Sequence, residues 1–365
     1  MALALGAKAL PCPARRNYYG VESMSNEYIC TWIYLDSPEE RSEYPQVGTQ
    51  SHLFEFQKTY WKCVAAFFAC SVHFNPGRRH VLFTNKPEAE LPEVDGLDLR
   101  KFLEERRVEV VTFPMTWQTP PGYYPKWRNQ FFVFDIFRHF EQHFGGNNPA
   151  FVLLDSDCII RHSLDELFAE IRKNGLMVLP IPFDEDHDIN GITRKDMRQI
   201  YAELDGEDPG KNPVYFGGEF FAATLENVRR VNQMFPPVWA TMMQRFGEGK
   251  KKFHYEGPTL SYLYHRIGKF GIADRFIKRI WTSAKYSNLE ARDFDLHIWH
   301  LPAEKKEGIA LLLKKIVAGG FFQKPEDALV REMGGYLGIP KRSKYLNLKH
   351  FLKHTRLYNW LLPRT

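Results

Sequence analysis

The 365 residues predict an α/β domain, a mixed and mostly parallel sheet flanked by helices, followed by a C-terminal helical extension. Three observations carry this prediction. Strand-like runs alternate with segments of helical periodicity from residue 28 to residue 160. One run, 151–160, is too apolar to leave a face in water, as expected of a strand covered on both sides. The same run holds two carboxylates, Asp155 and Asp157, and an open α/β sheet presents ligands at its strand ends. The chain divides into a lead-in over 1–26, a domain over 27–310 and an extension over 311–365.

Residues 1–26 lack periodicity and contain Pro11, Pro13 and Gly20. Residues 28–35, with Tyr28, Ile29, Thr31, Trp32 and Ile33, have the β-branched and aromatic content of a first strand. Ser51 is placed to cap a helix reaching Phe74, in which Leu53, Phe56, Tyr60, Val64 and Phe67 recur at helical spacing. Asn75, Pro76 and Gly77 stop it. Strands over 80–85 and 108–114, with a helix near 99–106 between them, complete a doubly wound pattern. The loop 114–126 is rich in Pro, Tyr and Trp, and reads as a lid or acceptor platform, or as a surface loop packing on itself. A helix over 127–144 follows. Lys126 and Arg128 mark its start, where cations oppose the helix dipole unless an anion docks beside them.

Beyond the acids, Ser163 is expected to cap a helix over 164–173, and 175–183 forms a strand broken by Pro180 and Pro182. The acidic run 184–188 reads as a solvated loop, and a helix spans 193–204. The stretch 213–223 holds Gly217 and Gly218. Paired glycines in a strand clear space for a close approach, such as a sugar ring lying on the backbone; a β-bulge explains them equally. Glu219 follows directly. Thr224 is placed to cap a helix over 225–235, and Glu256 stands where a loop enters the helix 259–267, as a cap or a catalytic carboxylate. Residues 276–281 form a last strand, after which His297, His300 and Lys306 come in succession.

Side chains alternate along extended chain, so Asp155 and Asp157 point the same way. Two such acids repel unless a cation stands between them, and a hard divalent ion held by few carboxylates is completed by phosphate oxygens. The stretch therefore reads as a seat for a metal and a diphosphate. An EF-hand starting at Asp155 fails, because Ile159 and Ile160 stand where an oxygen ligand and the turn glycine are required. A phosphohydrolase with Asp155 as nucleophile remains an alternative, although Cys158 and Ile159 replace the small turn expected there. A turn cap is the purely structural reading.

Hydrophobic content of 44% and charged content of 25% are those of a globular protein. The five cysteines, at 12, 30, 63, 70 and 158, are odd in number and form no CxxC pair. They argue for a reducing compartment and against a zinc site or disulfide framework. No window reaches the roughly 20 apolar residues of a membrane span, and the first residues read as a frayed end rather than a signal peptide. A cytoplasmic location is expected. The net charge of +5 is uneven: 340–365 carries seven cations and no acid, and the remaining 42 basic and 44 acidic residues leave the body at −2. In that tail Tyr345, Leu348, Leu352 and Leu361 alternate with the cations, and Phe351, Tyr358 and Trp360 suit a headgroup boundary. It is expected either to attach to an anionic membrane surface or to dock on the domain. Cations confined to one segment do not suggest a nucleic-acid partner.

Together these residues resemble the GT-A fold glycosyltransferases over roughly 27–310. Asp155 and Asp157 resemble their Asp-x-Asp motif, and Lys126 and Arg128 their basic donor-site residue. The segment from His300 to Lys306 is similar to the glycogenin-like His-x-x-Gly-x-x-Lys motif, with Ala303 in place of the glycine. The stretches around Gly217 and Gly218, and around Glu256, resemble segments of the blood-group transferases. The resemblance implies a Rossmann-like fold and a bound Mn2+ or Mg2+ held by Asp155, Asp157 and His300. It implies a nucleotide diphosphate sugar as donor, UDP-sugar foremost, whose diphosphate meets Lys306, and a glycan or lipid-linked acceptor. Glu256 inherits candidacy as the catalytic carboxylate, with Glu219 as the other choice, and retention of configuration is implied. Topology places the base near the first two strand ends, around Tyr34 and Asn85.

Overall fold

A computed structural model describes residues 26–48, 50–283 and 286–341. Its first half alternates strand and helix as the sequence predicts: β1 (Glu27–Ile33), α1 (Phe54–Phe74), β2 (Arg79–Thr84), α2 (Leu99–Glu105), β3 (Val108–Thr112), α3 (Phe132–His143) and β4 (Ala150–Leu154). The second half continues with β5 (Cys158–Ile160), α4 (Asp165–Asn174), β6 (Leu176–Val178), β7 (Pro180–Ile181), α5 (Arg194–Asp205), β8 (Tyr215–Phe216) and β9 (Phe220–Thr224). After these come α6 (Leu225–Gly247), α7 (Glu256–Ile267), β10 (Gly271–Ile272), β11 (Ile277–Arg279), β12 (Ile298–His300), α8 (Gly308–Val317) and α9 (Glu326–Leu337).

The central sheet has seven strands in the order β10-β6-β9-β4-β1-β2-β3. β9 runs antiparallel to both of its neighbours, and the other pairings are parallel. The sheet is thus mixed and mostly parallel. Both of its faces are covered, which is why its strands read as unbroken apolar runs. In β1, Ile29 and Ile33 join one buried cluster, while Tyr28, Cys30 and Trp32 join the other. In β4, Val152 and Leu154 separate in the same way from Phe151 and Leu153. The first cluster is closed by α1, α2, α4, α8 and α9, and the second by α3, α5, α6 and α7.

Four local expectations are corrected. The run 151–160 is two strands rather than one. The chain leaves the central sheet after Leu154, turns with Cys158 N–H donating to Asp155 O at 3.0 Å, and enters a separate three-stranded sheet ordered β11-β12-β5. Asp155 and Asp157 therefore sit on a turn between two sheets. The helix expected from 127 starts at Phe132, because Trp127 holds a left-handed φ of 47° that no α-helix accepts. Ser51 caps nothing: its hydroxyl donates to Asp36 Oδ2 at 2.5 Å, and α1 begins three residues later.

The helix expected to end at Phe235 runs on to Gly247 through Pro236 and Pro237. Each of the two interior prolines costs about 3 kcal/mol, about 6 kcal/mol together. Phe235, Val238 and Met242 are all buried beyond or at that point, and each contributes about 1.5–3 kcal/mol. Packing therefore outweighs the local preference.

α8 and α9 do not stand apart as an extension. Ile309, Leu312, Leu329, Met333 and Leu337 lie in the same cluster as Ile29 and Phe67. The basic tail lies outside the described residues from 342 onward. No described helix is long and apolar enough to cross a membrane.

Candidate functional site

Strand register brings four distant stretches together at the carboxyl end of β4. Antiparallel pairing sets Phe220 of β9 opposite Leu154, and one step further Asp155 N–H donates to Glu219 O at 3.1 Å. In the small sheet His300 pairs with Cys158 on one side and with Arg279 on the other, and Leu301 N–H donates to Asp157 O at 3.1 Å. The backbone thus fixes Asp155, Asp157, Glu219, Arg279 and His300 around one point.

Ligand atoms of Asp155, Asp157 and His300 all lie within 4.8 Å of one another. His300 Nε2 stands 3.3 Å from Asp157 Oδ2. On its other side Nδ1 lies 3.2 Å from Glu219 Oε1, yet off the line of a hydrogen bond, so this buried nitrogen has no bonded partner. Both Glu219 oxygens are held by Arg279, with Nε to Oε1 at 2.7 Å and Nη2 to Oε2 at 2.5 Å. The ammonium of Lys305 donates to Asp157 Oδ2. Glu219, Asp157, His300 and Lys305 are all buried.

The charges are strongly interdependent. Burial and the neighbouring charge of Asp157 push the Asp155 carboxyl up. Burial would raise Asp157 too, but the cations of Lys305 and His300 outweigh it and hold that carboxyl far below its ordinary range. Glu219 is held low in the same way, by Arg279 first and then His300. Burial would lower the His300 imidazole, but Asp157 and Glu219 prevail and push it up to about 9. Glu256 rises well above its usual value through burial and then the charge of Asp155.

This donor set fits a divalent cation. Ligand atoms about 2.0–2.6 Å from a common ion stand no more than about 5 Å apart, so the three need little adjustment to share one. Carboxylates suit Mg2+ and Mn2+, and the imidazole adds a donor accepted by transition metals. A cation beside Asp155 would relieve the burial and repulsion that raise its carboxyl. His300 would bind as the neutral ring, so loading must displace a proton. Any such ion shares Asp157 with Lys305.

Asp155, Ser156, Asp157 and Lys305 form one end of a cleft of about 650 Å3, counting its open mouth. Its walls are aromatic and polar, including Trp32, Tyr34, Tyr44, Tyr60 and Trp127, and it runs past the end of β1 to Asp36. Gln130 also lines it and, with its amide oriented to donate, reaches the Glu256 oxygens at 3.0 and 3.3 Å. Glu256 is the buried first residue of α7. A side chain at Gly217 would strike the Glu219 carboxylate, and one at Gly218 would strike that of Glu256. The clearance made by the two glycines is therefore occupied by the chain's own acids.

Other expected residues are placed differently. Tyr34 lines the cleft with its hydroxyl donating to Glu40 Oε1 at 2.7 Å. Asn85 stands behind it, its amide pairing with both backbone groups of Leu35 at 2.8 and 3.0 Å, and so stitches the β1 end instead of facing the cleft. The Arg128 guanidinium donates to the carbonyls of Glu39 and Thr119, each at 3.3 Å, and the Lys126 ammonium lies 5.9 Å from the Trp127 ring. Neither lines the cleft. Lys306 donates to Val47 O, whereas Lys305 reaches Asp157.

Sequence reasoning missed Lys305, Arg279, Gln130 and Asp36. A motif that departs from its pattern at Ala303 was a signal that the lysine register was open. Arg279, by contrast, is visible only once β11 and β12 are paired. In comparisons with known proteins, no family model matches the chain and no curated protein is found to be similar to it.

Proposed function

We propose that the chain is a GT-A-type glycosyltransferase that moves a sugar, with retention, from a nucleotide diphosphate sugar to a glycan or lipid-linked acceptor. UDP-sugar is the foremost donor. The observation that carries this reading is the convergence of Asp155, Asp157 and His300 at the end of a cleft that begins at the β1 terminus. Asp155, Asp157 and His300 would hold a Mn2+ or Mg2+ ion, which would supply Lewis-acid stabilisation of leaving-group charge.

The remaining work belongs to the chain's own groups. Lys305 places a fixed ammonium where leaving-group charge develops, and such preorganised charge is effective where water is scarce. Glu256 offers a carboxylate to the oxocarbenium-like sugar, and Gln130 ties it to the cleft wall. The Glu256 carboxyl is pushed up by burial first and then by the charges of Asp155 and Glu219, and a cation held by Asp155 would offset one of these. The cleft's aromatic rings suit a planar base.

A panel of nucleotide sugars with Mn2+, read first by thermal shift and then by donor hydrolysis, tests the proposal. Metal-dependent stabilisation by one donor and its slow hydrolysis are expected, both lost in Asp155→Asn. Phosphate release from a generic ester would instead indicate a phosphohydrolase. Binding without turnover, even with a panel of acceptors, would indicate a non-catalytic binder of nucleotide sugars.

A further inference from the structure

We infer that Arg279 and Glu219 form a positioning pair that sets the ring of His300 for metal binding, so that Glu219 acts through His300 and not on the sugar. The inference rests on the metal reading of the triad given above. Its basis is the sequence of contacts Arg279–Glu219–His300–Asp157, in which a partly exposed guanidinium leads to three buried side chains, laid down by adjacent strand ends.

Arg279 and His300 are directly paired residues of β11 and β12. The planar guanidinium grips Glu219 through both oxygens. Bidentate geometry fixes the plane of the carboxylate as well as its place. Glu219 Oε1 is then held 3.2 Å from His300 Nδ1, while Nε2 of the same ring faces Asp157. A modest rotation of the ring converts the first contact into a hydrogen bond in which Nδ1–H donates to Glu219. That bond selects the tautomer whose Nε2 lone pair is directed at the triad. Metal-bound imidazoles commonly donate their other N–H to a carboxylate, and loss of that carboxylate weakens metal binding about 10–100-fold. A nucleophilic role for Glu219 conflicts with this geometry, because both of its oxygens are already committed to the Arg279 guanidinium.

The pair also explains Gly217. A side chain there would overlap the Glu219 carboxylate and push it off the Arg279 fork.

The test is Mn2+ binding to the full-length protein, followed by the loss of the free-ion electron paramagnetic resonance signal, with nitrogen coupling to the bound Mn2+ read by electron spin echo modulation. The wild-type chain is expected to bind one Mn2+ with imidazole nitrogen coupling. Glu219→Gln should weaken binding about tenfold or more and alter that coupling. In a His300→Ala background, adding Glu219→Gln should change affinity no further, since a residue acting through His300 has nothing left to act on.

Removing Arg279 alone strands a buried carboxylate and risks the fold, so the double substitution Glu219→Gln with Arg279→Met serves as the folded control, verified by circular dichroism. It should bind Mn2+ as weakly as Glu219→Gln alone. Unchanged affinity and unchanged coupling in Glu219→Gln would overturn the positioning role while leaving the metal site standing. Equal losses from Glu219→Gln in the presence and absence of His300 would overturn it too. A wild-type chain that binds no Mn2+ would remove the metal reading itself.

Discussion

Asp155 and Asp157 look equivalent in the sequence and are opposites in the structure. Asp157 is the buried partner of Lys305 and His300, whereas Asp155 is partly exposed and raised by burial and by Asp157. Asp157→Asn should therefore leave two cations facing each other and cost about 3–5 kcal/mol in denaturant unfolding, the usual result of removing one member of a buried pair. Asp155→Asn relieves repulsion. It should leave stability within about 1 kcal/mol of wild type while abolishing Mn2+ binding in a calorimetric titration. Gly218→Ala places a methyl group on the Glu256 carboxylate. It should cost about 1–3 kcal/mol by overpacking, and donor hydrolysis should fall far more than the melting temperature suggests. At this scale the acids and His300 are legible in the sequence, because charge inside an apolar run and an imidazole after a late strand are local signals. Lys305 and Arg279 are not, because which cation reaches Asp157 or Glu219 is decided by loop path and strand register.

Elements were readable where one segment's own pattern decides them. β1, β2 and α1 follow from apolar runs and helical spacing: both sheet faces are buried, and α1 is buried all round over residues 63–71. The break between β4 and β5 is marked only by Asp155, Ser156 and Asp157, which read equally as ligands or as a turn: Leu154 and Cys158 flank it with residues suited to one continuous strand, and the distant pairing of Cys158 with His300 fixes where the chain goes on leaving the central sheet. α6 shows the opposite conflict, in which a local stop signal yields to packing. Phe235 lies with its ring 3.6 Å from that of Phe134 in a parallel stack and 6.0 Å from that of Trp239. Phe235→Ala should cost about 3–5 kcal/mol, as for other buried aromatics. A loss of helical circular dichroism larger than one residue can explain would show that this contact carries the helix past its prolines.

Across the whole molecule, the buried cluster on one face of the sheet takes in α8 and α9, so the boundary expected near residue 310 does not divide the packing. The sequence could not show this, because amphipathic helices carry no label of the surface they cover. The same burial sets the response to acid. His80, His139 and His254 are each lowered to about 4 by desolvation. Their folded-state values lie below the unfolded one of about 6.5, so the unfolded chain binds more protons between these limits and stability falls as pH drops through that window. For His80, almost wholly buried against Ser71, the slope approaches about 1.4 kcal/mol per pH unit. Asp155 and Glu256, raised by burial, act in the opposite sense over this range, so the histidine contribution is read by difference: from pH 7 to pH 4 the denaturant midpoint of the wild type should fall relative to that of His80→Asn. The cation seat lies where the central sheet, the small sheet and the cleft meet. A crystal soaked with Mn2+ and a UDP-sugar, mapped by manganese anomalous scattering, tests it most directly. A single peak within about 2.0–2.6 Å of an oxygen of Asp155, an oxygen of Asp157 and a nitrogen of His300, with diphosphate density on its cleft side, is the predicted result. An anomalous map without that peak, or with the nucleotide bound away from it, would contradict the account.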